Sequence, residues 1–427
     1  MLESLKRWLP ILARFLGGQS LIQLINLLTA LLLLRLIPLH EYGLFVAANL
    51  FISLGSIGSD LHLSTAFNTL GARISTNKLK LSNLFASVMH IRRRLFLGVV
   101  LVIISMTPTI FGGHGWNIAV LIVVVFLIFG TIWVQQGINL RTQVFNIFQD
   151  VSGVVEPGII GASIRLILTY FICSNWPYAV VALGVNLVAT FLSSWLAKNK
   201  CARYIATFEQ ESEETRHELK KFILPLIPTT IFFAFQGQIS LLIISIFGNA
   251  VSIAEIGALG RIGQIFSFLM IFNGFLFQPM FAREISAVRF ASKFGWLLLI
   301  IVLFFAVSIT SGYLAPDMWL LILGGKYQAL AAEVPIVIMI SASIYIAGFF
   351  NTALAARAYT ENQIWNIIIP LALQVLFASI NVINNTYNAL LFSLTAAAST
   401  MLVQVFVFYI MMKKWKKIRN NLKLPGI

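Results

Sequence analysis

Two arginines stand inside runs of sequence that are otherwise almost free of charge. Arg165 is the single charged residue between 157 and 197, and Arg261 shares the stretch 222–282 only with Glu255. A charge at the centre of a bilayer costs roughly 2.5–3.5 kcal/mol on insertion scales, so such a side chain faces a cavity or a partner, or snorkels to the headgroups. Arg165 lies about 13 Å into its run at 1.5 Å per residue, deep enough to favour a cavity. Phosphate is the natural counterpart, because a guanidinium binds its oxygens bidentately. Arg14 and Arg35 flank the first apolar run, where they anchor the helix at the headgroups or guard the mouth of a cavity. Asp60 closes the second run and is the candidate carboxylate for ion coupling.

Uncharged amides recur on the same kind of segment: Gln19, Gln23 and Asn26, then Gln236 and Gln238, Gln264 and Asn273, Asn351, and Gln374. Gln19, Gln23 and Asn26 share one helix face at i, i+4, i+7. A stripe of this type either joins helices or lines a polar cavity. Taken together, Arg165, Arg261, Arg14 and Arg35, with Gln23, Asn26, Gln236, Gln238, Gln264 and Asn273, form a candidate binding set for an anionic, hydroxyl-rich substrate. A search for catalysis is negative. His40, His62, His90, His114 and His217 are scattered, and no paired carboxylates, phosphate-cradling glycine loop or nucleophile elbow occurs. Cys173 and Cys201 fall on opposite sides of the membrane in the topology below, so no disulfide is expected, and no Cys/His cluster has metal-ligand spacing. Neither a cofactor nor a metal is expected.

The elements that carry these residues follow from composition. Of 427 residues, 59% are hydrophobic and 11% charged, against about 25% charged in a soluble domain. A soluble enzyme, a disordered chain and a disulfide scaffold are excluded. A spanning helix needs about 20 apolar residues. Runs at 15–34, 42–59, 294–316 and 334–356 each supply one. The runs 95–140, 157–197, 222–282 and 362–412 each supply two. Twelve helices result. With the N-terminus inside, alternate loops hold 26 of the 30 Lys and Arg, the signature of cytoplasmic loops. The net charge of +15 thus answers to anionic lipid headgroups and the positive-inside bias; no nucleic-acid partner is expected, since the basic residues sit in several short loops.

The expected fold is an all-α polytopic membrane protein, N-in and C-in, with two pseudo-symmetric lobes of six helices. The first lobe covers 1–200, a Glu-rich cytoplasmic linker 201–221, the second lobe 222–412, and a basic tail 413–427. The basic N-terminus reads as a retained first helix rather than a cleaved signal. An even helix number per lobe makes any repeat parallel. A faint echo supports one: Glu41-Tyr-Gly43 opens the second helix, Glu255-Ile-Gly257 the eighth, and Ser53 and Ser267 follow at the same offset. Pro108, Pro225, Pro228, Pro279 and Pro370 punctuate the spans, and Pro225 and Pro228 are hinge candidates.

The segment Leu33-Leu-Arg-Leu-Ile-Pro-Leu-His-Glu-Tyr-Gly-Leu-Phe45 resembles the first outer turn of bacterial polysaccharide (O-antigen) flippases. Phe222-Ile-Leu-Pro-Leu-Ile-Pro228 resembles their seventh helix, Ala254-Glu-Ile-Gly257 and Gln278-Pro-Met-Phe-Ala-Arg283 the ends of their eighth, and Gly324-Gly-Lys-Tyr327 a later outer loop. The likeness extends over essentially the whole chain. It implies membership of the multidrug/oligosaccharidyl-lipid/polysaccharide (MOP) superfamily, alternating access, and location in the bacterial inner membrane. It implies a substrate of undecaprenyl-diphosphate-linked oligosaccharide, moved to the outer leaflet for O-antigen, capsule or exopolysaccharide synthesis. A polysaccharide polymerase and a chain-length regulator are implied as partners, beside membrane lipids, and a proton or sodium ion as coupling ion. The chain departs at Ile239-Ser240, where many members have Ile-Asp, and so lacks an acid there.

Three other readings compete. A multidrug exporter of the same superfamily favours intramembrane carboxylates for cationic drugs, and here Asp60 stands almost alone. A membrane-embedded polymerase or ligase needs long outer loops bearing Arg and His, and the outer loops hold little beyond Arg35 and Lys326. A scaffold for glycan assembly leaves the intramembrane arginines unexplained.

Overall fold

The computed structural model describes residues 2–61, 63–111, 115–205, 219, 224, 227–267, 269–270, 273, 277, 280–281, 284, 286–357, 359 and 364–421. Their regular structure is entirely helical. In chain order the helices are α1 (Leu2–Leu36), α2 (Leu39–Asp60), α3 (Leu63–Ile74), α4 (Lys78–Phe111), α5 (Ile118–Phe148), α6 (Val151–Cys173) and α7 (Ala179–Cys201). There follow α8 (Ile227–Phe247), α9 (Ala250–Ser267), α10 (Ala287–Leu314), α11 (Pro316–Leu323), α12 (Val334–Ala356), α13 (Trp365–Ile380) and α14 (Thr386–Asn421). Among the described residues nine helices are long and apolar enough to cross a membrane: α1, α2, α4, α5, α6, α7, α10, α12 and α14. The shorter α8, α9 and α13 occupy the three remaining positions expected from the charge-free runs. The protein is a multi-pass membrane protein. Most of the 201–221 linker, Pro225, Pro279 and tail residues 422–427 lie outside the described residues.

Three features differ from the sequence expectation. The segment 68–94, read as a cytoplasmic loop, is largely helical. It forms most of the short amphipathic α3 and the first half of α4, which runs from Lys78 straight into the membrane. Polar helix ends outside the bilayer are stable here because α3, α4, α5 and α7 share an apolar core: Leu63, Phe67, Leu81, Leu84, Val88, Leu140, Val144 and Ala197 are all buried. Second, α6 begins at Val151, six residues before the charge-free run. Glu156, which closed that run, is accommodated by an ion pair with Lys200 of α7. Pro228 is the second residue of α8, where proline starts a helix instead of bending it.

Two compact units cover Met1–Ala254 and Glu255–Ile427. In the first, α8 packs on α2, joined by a hydrogen bond from Gln238 to Ser53 of 3.2 Å. Gly43 of α2 also approaches the carbonyl of Ala250 so closely that a Cβ there would meet it at 2.3 Å. Elsewhere in the first unit α1 packs on α6, α6 on α7, α7 on α5, and α2 on α4 and α5. In the second unit α12 packs on α14 and α10, and α14 on α13. That unit is aromatic at its centre, with Phe281, Phe290, Phe294, Phe349, Phe350 and Phe408 in mutual ring contact.

Asp150 fixes the start of α6. Its carboxylate accepts from the Gly153 N–H at 3.0 Å, from Ser152 Oγ at 3.0 Å and from Tyr204 Oη at 3.1 Å. Burial by itself would raise this carboxyl, but the Gly153, Ser152 and Tyr204 hydrogen bonds and the Lys200 charge together hold it below the ordinary carboxylate range. A group depressed in this way stabilises the fold above its unfolded pKa and ceases to do so as pH falls through its folded pKa. Asp150→Ala is therefore expected to lower stability by about 1 kcal/mol at neutral pH, as for other helix caps. Thermal unfolding in detergent, followed by circular dichroism, should show the variant and the wild type converging in acid.

Candidate functional site

Within the first unit two of the sequence candidates, Arg165 and Asn26, meet at the α1–α6 crossing. The two helices approach closely at glycines: a Cβ on Gly18 would lie 2.3 Å from Val155, and one on Gly158 would lie 2.6 Å from Ile22. That closeness brings Arg165 of α6 within reach of Asn26 of α1, and Arg165 Nη1 donates to Asn26 Oδ1 at 3.4 Å. Arg165 Nε is buried without a hydrogen-bond partner among the described residues. The guanidinium thus sits mid-span against a neutral amide and meets no carboxylate among those residues. Gln23, one turn before Asn26, is exposed. Arg14 and Arg35 are not drawn into this contact. They lie about 18 and 14 Å from Asn26 along α1. Arg35 also points from the face opposite Asn26, at about 180° on the helical wheel.

Asp60 meets a different partner, one the sequence reading missed. It is ion-paired to Arg92 of α4, whose side chain is 0% exposed against 26% for Asp60. Arg92 Nη2 also donates to Ser64 Oγ at 2.6 Å and Nη1 to the Gln136 carbonyl at 2.7 Å, while Ser64 Oγ donates to Asp60 at 2.9 Å. One buried cation therefore ties α2, α3, α4 and α5 together. The sequence reading counted Arg92-Arg93-Arg94 as loop charge. The available signal was periodicity: Leu81, Phe85, Val88 and Arg92 fall on one helical face, and all four are buried.

The echo between the halves acquires a physical meaning. Glu41 of α2 accepts from the backbone N–H of Ala179 at 2.8 Å, so it caps α7 from another helix. In the second unit Glu255 of α9 accepts from the hydroxyl of Thr386, the first residue of α14. In each half the glutamate that opens the second transmembrane helix fastens the start of the sixth. Arg261 of α9 donates to Gln264 on its own helix at 3.2 Å. Asn273 is 4% exposed, its amide directed at Met270 Sδ at 3.6 Å and its carbonyl oxygen unpartnered among the described residues. Gln374 is buried, Gln19 and Gln236 are half-buried, and Asn351 is exposed. Among the described residues no group of His, Cys, Asp and Glu could hold a metal ion.

No protein-family model matches the chain, and no curated protein matches it either. Solved structures do. The lipid II flippase MurJ in an inward closed conformation aligns with a TM-score of 0.73 at 12% identity, over 97% of this chain and 93% of that one. An inward-facing multidrug resistance MATE family transporter of the MOP superfamily aligns at 0.67 and 12%, over 93% and 96%. A point mutant of the Vibrio cholerae MATE transporter VcmN aligns at 0.64 and 13%, over 96% and 97%. The chain has the fold of the MOP transporters.

The Asp60–Arg92 pair generates a prediction. Removing one partner strands the other charge, which typically costs about 3–5 kcal/mol for a buried pair. Arg92→Met is expected to destabilise the purified protein by that order, and Arg92→Met combined with Asp60→Leu by clearly less. Denaturant or thermal unfolding of the single and double variants in detergent measures the difference.

Proposed function

We propose that the protein is a flippase that carries undecaprenyl-diphosphate-linked oligosaccharides from the inner to the outer leaflet of the bacterial cytoplasmic membrane by alternating access. The observation that carries this reading is the state of Arg165: a guanidinium within a transmembrane helix, held by one long hydrogen bond to a neutral amide. Such a cation is stabilised by an anion that comes and goes, and a diphosphate supplies two charges and several acceptor oxygens. Arg261 offers the second unit's intramembrane cation. Gln23, Asn26, Gln236, Gln238, Gln264 and Asn273 then contact sugar hydroxyls, and Arg14 and Arg35 attract the headgroup at the two ends of α1.

The carboxylates in the described transmembrane helices argue in the same direction. Glu41, Asp60, Glu156 and Glu255 are each already engaged, by the Ala179 N–H, Arg92, Lys200 and Thr386 respectively. None of these four is left open for a cationic drug. Likeness to a lipid II flippase fits a lipid-linked substrate, and likeness to MATE transporters keeps a multidrug exporter as the second reading. Under the flippase reading the basic helix ends are cytoplasmic, a polymerase and a chain-length regulator act downstream, and Asp60 is free to couple a proton or sodium ion only when Arg92 releases it.

Deletion should leave lipid-linked repeat units in the inner leaflet; accumulation of unpolymerised units in the outer leaflet would mark a polymerase instead. Arg165→Ala should reduce glycan export about tenfold or more at unchanged protein level, since hydrogen bonds to charged groups contribute roughly 1.5–3 kcal/mol. Arg165→Lys should keep part of the activity. Full export by Arg165→Ala removes Arg165 from the site. Efflux of a cationic dye, with glycan export indifferent to deletion, establishes the exporter reading.

A further inference from the structure

We propose that the basic end of the first unit holds a binding pocket for the phosphodiester headgroup of an anionic phospholipid, formed by Arg93 of α4, Arg141 of α5 and Lys198 of α7. This inference rests on the membrane-spanning fold alone and not on the flippase reading. Two adjoining cavities of about 350 and 440 Å³ share Met89, Arg93, Arg141 and Lys198 in their walls. Their volumes fall in the range of small-ligand sites, ~300–1,000 Å³.

Among the described residues three cations line the cavities and no carboxylate does. Lys200, two residues from Lys198, lies outside the cavities and pairs with Glu156. The Arg141 guanidinium is held in place, with Nη1 donating to Ser194 Oγ at 2.9 Å. It lies over Gly137, where a Cβ would come within 2.8 Å of the same Nη1. A side chain at 137 would fill the space that this guanidinium uses.

Position selects a lipid as the source of the phosphate. Arg141 and Lys198 are the first charges after the apolar runs of α5 and α7, and Arg93 stands two residues before the run that begins at Leu95. All three cations therefore reach the same membrane boundary, the one that the positive-inside bias assigns to the cytoplasm. On the apolar side the walls are Trp133, Phe191 and Trp195, at 48%, 58% and 54% exposure on transmembrane helices, where acyl chains cover them. The Arg93 guanidinium lies 5.8 Å from the centroid of Trp133. Cations at the interface with tryptophans just beneath them match an anionic headgroup and the start of its tails. None of these residues belongs to the Arg165–Asn26 contact.

The test is native mass spectrometry of the purified full chain, with phosphatidylglycerol titrated against phosphatidylcholine. The wild type should retain phosphatidylglycerol under activation that strips phosphatidylcholine. Arg93→Gln, Arg141→Gln and Lys198→Gln combined should weaken retention on the order of a hundredfold, given the contribution of each basic residue at an anionic surface. Lys200→Gln, outside the cavities, should leave it unchanged. Lys198 is exposed, so Lys198→Gln alone should fold even where the triple variant does not, and should weaken retention about fivefold. Equal retention of the two lipids, or retention unchanged in the triple variant or in Lys198→Gln, overturns the proposal. Displacement of phosphatidylglycerol by inorganic phosphate at equal concentration would make this a soluble-anion site and overturn the lipid assignment.

Discussion

A cation inside hydrocarbon has to be answered by something within a few ångströms, and this structure answers two of its buried arginines in opposite ways. Arg92 is given a full counter-charge, a hydroxyl and a carbonyl, and becomes a fixed strut among four helices. Arg165 is given one amide oxygen at the long end of hydrogen-bonding distance. The first arrangement is closed to further partners and the second is not. The difference lies in what the rest of each site leaves to be filled.

The glutamates that open α2 and α9 show how a weak internal repeat can rest on one shared device. Glu41 and Glu255 stand about half a chain apart, yet each ends on the first residue of the sixth transmembrane helix of its own half. Helix starts expose unpaired backbone donors, and in lipid these must be satisfied from within the protein. Glu41 does so at the Ala179 N–H, while Glu255 binds the Thr386 hydroxyl; each fixes the spacing of two helices that are far apart in sequence. The cores of the two units differ in kind: the first mixes leucine and valine with Phe67, Phe85 and Phe145, and the second is a cluster of phenylalanines.

The spans were legible in the sequence because hydrocarbon excludes charge so strictly that charge-free runs and helices nearly coincide. Where the two part company, an ion pair is the cause. Glu156 ended a run early because its partner, Lys200, is distant in sequence and cannot be read from it. Arg92 was counted with the loops because a run of three arginines looks solvated, although the periodicity from Leu81 onward placed the first of them on the buried face. The Arg165–Asn26 contact was half legible. Depth singled out Arg165 and the amide stripe singled out Asn26, but their meeting depends on Gly18 facing Val155 and Gly158 facing Ile22 across the helix crossing, a matter of register that composition does not carry. The packing of α8 on α2 was not legible at all, since it rests on contacts such as the Gln238–Ser53 hydrogen bond between residues 185 apart in sequence.

The distribution of these contacts along the helices favours a soft middle. At one end of each unit a glutamate fastens two helices. At the other end the first unit has the Asp60–Arg92 pair beside its apolar core. There the second unit has Arg357 stacked 4.8 Å from Phe290 and 4.2 Å from Trp415. Between such ends the polar contacts of the first unit are single and neutral on the acceptor side, Arg165 with Asn26 and Gln238 with Ser53. Exchanging Asn26 for an anionic oxygen at Arg165 gives up one weak hydrogen bond and gains a charge-assisted one, with the fastenings at both ends untouched. Both fastenings of the first unit lie on α2, so a charged ligand at Arg165 of α6 leaves them in place.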